Sequence, residues 1–83
     1  MAERPTLLEQ LRAEAGLTQP QLAERAGCSS STITNLERRQ YVRPRMRTLV
    51  IVARALGEAL GRPVHYLELY DDLREPESDE VSA

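Results

Sequence analysis

The chain has no Lys, no Trp and no Phe, and Cys28 is its single cysteine. One cysteine excludes an intramolecular disulfide. No apolar run is long enough to span a bilayer, and the start lacks the basic-then-apolar pattern of a signal peptide. The expectation is a soluble, cytoplasmic protein with no membrane partner. With three Tyr as the only aromatics, the core must come from Leu, Ile, Val and Ala, and an exposed platform for stacking single-stranded RNA is missing. At 83 residues there is room for one small domain and none for a sensory or catalytic domain beside it. Neither a Gly-rich phosphate loop nor a Ser, His and acid set at catalytic spacing is present, and His65 has no second metal-ligand type at suitable spacing. The sequence is therefore read as a non-enzyme without cofactor or metal.

The charge that is present is unevenly placed. All eleven cations are Arg, and the formal net charge is −2. Residues 1–70 hold ten Arg against seven Glu, a surplus of +3, while residues 71–83 hold one Arg against six acids, a deficit of −5. Arg suits planar, bidentate contacts to phosphate and guanine, although a lack of Lys equally follows from genomic base composition. Within "RRQYVRPRMR", from Arg38 to Arg47, five Arg occur in ten residues with no acid among them. The expected domains are a basic, folded unit over residues 1–70 and an acidic tail over 71–83. Poor in apolar residues and carrying Pro76, the tail is expected to be disordered.

Helical spacing runs through the basic part. Leu7, Leu8, Leu11 and Ala15 share the phase of a first helix, which Gly16 stops. Thr18 and Gln21 have the spacing of a capping box, with Pro20 in the first turn of a second helix that reaches about Ala26. Gly27 makes a tight turn and Ser29 caps a third helix in which Ile33 and Leu36 share one face. A fourth helix from about Arg45 to Leu60 carries Leu49, Val52, Ala53, Leu56 and Leu60 on one side; Gly61 can close it, or Gly57 a turn earlier. A short fifth starts near Pro63 and buries Leu67, with Val64 and Tyr70 as further candidates. Arg43 precedes Pro44 and is extended, so the arginine cluster leaves the third helix and continues in a loop.

Two short helices joined by a tight Gly turn, "QPQLAERAGCSSSTITNLERR", read as a helix-turn-helix. Ala23 is small where the helices approach, and Leu22, Ala26, Ile33 and Leu36 fill the space between them. Cys28 takes a small apolar site at the turn. Ser30, Ser31, Thr34, Asn35 and Arg38 remain on the outer face, a polar set without acids that can enter a DNA major groove. Loop arginines flanking the rigid Pro44 would grip phosphates beside it.

At residues 6–69 the sequence resembles the phage repressor and Cro family, also called XRE-type, through Arg12, "LTQPQLAERAG", "STITNLE", "RPR" and "LVIVARALG". The resemblance implies an all-α, five-helix, lambda-repressor-like domain and a transcriptional regulator, a repressor, that binds double-stranded DNA. It implies that Gln19 holds a phosphate and braces the recognition helix, that Ser30, Ser31 and Asn35 face base edges, and that Arg12 and Glu37 form a partly buried ion pair. It also brings Arg43 and Arg45 to the DNA backbone and minor groove, and makes Glu24 a candidate contact to RNA polymerase.

Taken together, the expected base readers are Ser30, Ser31, Thr34, Asn35 and Arg45. The expected phosphate contacts are Gln19, Arg38, Arg39, Gln40, Arg43 and Arg47. Short hydroxyls discriminate poorly, so DNA shape and bound water should carry much of the specificity. One domain makes few contacts, so a homodimer on a palindrome is expected, with Val64, Leu67, Leu69 and Leu73 as apolar candidates for its interface. The family usually places Gly shortly after the glutamate that closes the third helix. Arg39 stands there, so either it turns left-handed or the helix runs a residue or two further, and the second is expected. An alternative reading is a protein-binding module on the same fold, such as an antitoxin whose acidic tail folds on a basic toxin.

Overall fold

A computed structural model describes residues 5–38 and 45–73. Five helices are present among the described residues: α1 (Leu7–Ala15), α2 (Gln19–Ala26), α3 (Ser30–Glu37), α4 (Met46–Leu60) and α5 (Tyr66–Leu73). The all-α expectation holds, and the helix starts are chemically specified. Thr6 Oγ1 accepts the Glu9 N–H at 3.0 Å, and Ser29 Oγ accepts the Thr32 N–H at 3.2 Å. At α2 the capping box is complete: Thr18 Oγ1 accepts from Gln21 N–H at 3.2 Å and Gln21 Oε1 accepts from Thr18 N–H at 2.9 Å. Each such cap satisfies helix donors that would otherwise need water, and is worth about 1 kcal/mol.

α4 is the central element. Its Leu49, Val52, Ala53, Ala55 and Leu56 are buried, and α1, α2 and α5 all pack on it. Leu8 and Leu11 enter from α1, Leu22 and Ala23 from α2, Ile33 and Leu36 from α3. Gly57 does not stop α4, which continues to Leu60 before Gly61. Its lack of a side chain serves packing, because a Cβ there would lie 2.9 Å from the Arg62 carbonyl oxygen and 3.4 Å from the Val64 nitrogen.

The C-terminal helix departs from the expectation in two respects. Tyr66, Leu69, Tyr70 and Leu73 form the inward stripe at i, i+3, i+4 and i+7, so Leu69 and Leu73 are buried while Leu67 is 43% exposed. The expectation starts the helix near Pro63, three residues before its actual start, and puts Leu67 inside; its further candidates, Val64 and Tyr70, are partly buried against the core. The folded unit also passes the expected boundary at Tyr70: α5 reaches Leu73, and Asp72 Oδ2 accepts the Leu7 N–H at 2.7 Å. That bond places a carboxylate on the first turn of α1, where the helix dipole favours it. Leu69 and Leu73 are therefore spent on the core and do not offer a dimer face. Of the tail expected to be disordered over 71–83, residues 71–73 form the last turn of α5, and residues 74–83 lie outside the described residues.

Candidate nucleic-acid interface

α2 and α3 pack through Leu22, Ala23, Ile33 and Leu36, all buried. Between them Gly27 adopts φ 83°, a left-handed turn open to glycine at little cost, and its N–H bonds the Ala23 carbonyl at 2.8 Å. Cys28 follows, half-buried against the core, and burial pushes its thiol pKa up. Desolvation disfavours the thiolate, the form in which a cysteine reacts. The arrangement is the expected helix-turn-helix.

The outward side of α3 presents Ser30, Ser31 and, at its end, Arg38, all exposed, with Asn35 half-buried. α3 stops at Glu37, one or two residues short of the expected end. Arg38 closes it at φ −88° and ψ 3°, not in the left-handed region. Its N–H still bonds the Thr34 carbonyl at 3.0 Å. Arg39, Gln40 and Arg43, expected at phosphates, lie outside the described residues. Arg45 and Arg47 are exposed at the start of α4, whose N-terminus has no side-chain cap. Glu24 is exposed on α2.

The single acid of α3, Glu37, is turned away from this face. Its side chain is 6% exposed and accepts from Arg12 Nε at 2.6 Å and Nη2 at 3.1 Å, and from Gln19 Nε2 at 2.8 Å. Arg12 Nη1 donates further to the Leu17 carbonyl at 2.9 Å, so one guanidinium ties α1, the α1–α2 link and α3 together. The hydrogen bond to Glu37, above all, raises the Arg12 pKa, and the nearby Glu37 and Glu9 charges add to it against burial. The Arg12–Glu37 pair is thus present, and Gln19 of α2 hydrogen-bonds Glu37 of α3. Thr34, expected at a base edge, is half-buried and donates its hydroxyl to Gln19 Oε1 at 2.8 Å. Nothing in residue spacing marked that bond, since it depends on which end of an amide faces a carboxylate. No buried side-chain polar atom among the described residues lacks a partner.

Other surface features are smaller. Arg62 pairs with Glu14 at 2.7 Å, both half-exposed, and the pair lowers the Glu14 pKa through its hydrogen bond and charge. His65 Nδ1 accepts the Leu67 N–H at 3.1 Å, and its ring stacks on Tyr66, 5.0 Å between centroids. No group of His, Cys, Asp and Glu that could hold a metal occurs among the described residues, and no helix there is long and apolar enough to cross a membrane.

A packed helix pair with a left-handed Gly turn and an acid-free outer face defines the helix-turn-helix class. Comparison with known proteins agrees: residues 6–67 match the family model described as a helix-turn-helix domain, and the chain belongs to that family. It is similar to a protein of Methanothermobacter thermautotrophicus (strain Delta H) named as an uncharacterized HTH-type transcriptional regulator. The two are 46% identical over 57 residues, covering 69% of this chain and 75% of that protein. No solved structure is a significant match. These matches support a DNA-binding transcription regulator and stop short of the phage repressor and Cro branch.

Proposed function

We propose that the protein is a cytoplasmic, non-enzymatic DNA-binding transcriptional regulator of the phage repressor and Cro type, acting as a repressor on a palindromic operator. The observation that carries this reading is the outer face of α3. Its exposed residues are hydroxyls and Arg38, and its one carboxylate is withdrawn into an ion pair. A surface of that kind meets the negative potential of a major groove without repulsion, whereas an exposed Glu37 would oppose it.

In this reading Ser30, Ser31 and Asn35 address base edges, with Asn35 suited to adenine. Gln19, Arg38 and Arg47 hold phosphates, and Arg45 enters a narrow minor groove beside the recognition helix. Two copies on one site place their recognition helices about 34 Å apart. Glu24, on the exposed side of α2, is the candidate contact to RNA polymerase.

The test is selection from a randomised duplex library, followed by affinity of the enriched site across a salt series for the wild type and Arg45→Ala. A palindrome is expected, with Arg45→Ala weakening binding and flattening the salt slope by about one unit. Salt-dependent binding without any enriched motif would overturn the regulator reading.

A further inference from the structure

Resting on the reading that Gln19 contacts a phosphate, we infer that Thr34 does not read a base. It is the positioning residue that fixes the Gln19 amide for that contact. The order of donors and acceptors through Arg12, Glu37, Gln19 and Thr34 leads there. Glu37, paired with a guanidinium through both oxygens, only accepts, so it takes the Nε2 end of the Gln19 amide and leaves Oε1 pointing away. Oε1 then needs a donor, and Thr34 Oγ1 supplies it at 2.8 Å. The Thr34 hydroxyl has one proton, and this bond uses it.

Held at both ends, the amide has one N–H left over. Nε2 carries two, Glu37 takes one, and the other makes no bond among the described residues. The backbone adds one more, since Gln19 is the first residue of α2 and its own N–H is likewise unbonded there. The rest of that helix start has little to give an anion. Pro20 has no N–H, the Gln21 N–H is taken by Thr18 Oγ1, and the Leu22 N–H by the Thr18 carbonyl. The anion-binding capacity of the α2 N-terminus thus rests on Gln19, and a Gln19 free to rotate about its side-chain torsions must lose that freedom on binding.

The experiment uses Thr34→Val, which keeps the β-branched shape and removes the donor, and Thr34→Ser, which restores it. Thr34→Val is expected to weaken binding to the enriched site and to random duplex by the same factor, roughly fivefold for one neutral hydrogen bond, while repeat selection returns the wild-type motif. Thr34→Ser should recover most of the affinity. In a Gln19→Ala background, Thr34→Val should have no further effect. In the DNA-free protein, the two Gln19 side-chain amide proton resonances, separate in the wild type, should shift in Thr34→Val and return in Thr34→Ser, with melting temperatures showing all variants folded. A motif altered at one base position with unmoved Gln19 amide resonances makes Thr34 a base reader and overturns the inference. So does a Thr34→Val loss that persists unchanged in the Gln19→Ala background. If the wild type enriches no site, the regulator reading fails and this inference with it, and the amide resonances still show separately whether Thr34 holds Gln19.

Discussion

Replacing Arg12 with Met removes three hydrogen bonds at once, two to Glu37 and one to the Leu17 carbonyl, and keeps a flexible, unbranched side chain in the gap. Glu37 is left 6% exposed with Gln19 as its remaining donor. Breaking a buried ion pair from one side is costly because the surviving charge is uncompensated. Arg12 is itself 18% exposed, so the lower end of the usual range applies, about 3 kcal/mol. In a domain of this size that is a fall in Tm of roughly 12–24 °C, read by thermal melting and checked by urea titration. The double variant Arg12→Met with Glu37→Met leaves no orphaned charge and should recover most of the loss, giving a coupling of about 2 kcal/mol or more. The pH dependence also follows from the structure. A guanidinium whose folded pKa is raised contributes stability that is complete below its unfolded value and lost only as pH rises through the still higher folded one. The cost of Arg12→Met should therefore be the same at about pH 7 and about pH 9. A loss under about 1 kcal/mol, or a double variant as unstable as the two single losses added together, would refute the buried-charge argument.

Other outcomes can be read from the same melting experiments. A chain ending at Tyr70 should melt well below one ending at Leu73, because it loses a buried leucine, worth about 2–5 kcal/mol in comparable truncations, and the Asp72 bond to α1; equal melting would return the boundary to Tyr70. Gly57→Ala should destabilise despite the roughly 1 kcal/mol helix preference for Ala, since its Cβ meets backbone at 2.9 Å, and a stabilised variant would mean that the Arg62–Val64 turn yields easily. Cys28 should alkylate more slowly in the folded protein than in urea at the same pH, its thiol pKa being raised by burial; equal rates would show a solvent-open site.

Much of the fold was legible because its punctuation is chemical and local. Thr18 and Ser29 cap the helices that the hydrophobic phase predicts, and Gly27 sits at the turn. Such signals act over three or four residues, the range over which a sequence can be read directly. α5 departs from the expectation for the same reason. Its buried stripe, Leu69 and Leu73, extends into residues whose acidity marked them as tail, and its closing bond joins Asp72 to Leu7 across 65 positions. Composition described the charge there, while one aspartate among them was committed to the fold.

The candidate site divides along the same line. Residue type and spacing brought Ser30, Ser31, Asn35 and Arg38 to one face, because a helix with Ile33 and Leu36 inside has few ways to orient the rest. The Arg12–Glu37 pair came through the resemblance, not through spacing, since 25 residues separate the partners. What neither source supplied was the sense of the Gln19 amide. A glutamine offers two chemically opposite ends on one planar group, and only the carboxylate behind it decides which end faces Thr34. An acid that is charge-incompatible with DNA is thereby put to use from the inside: withdrawn into the pair with Arg12, it sets the orientation of a neutral side chain that can still meet a phosphate. Glu37→Gln would keep the size and lose that sense, since an amide in its place can accept or donate, and the Gln19 side chain could then turn either way.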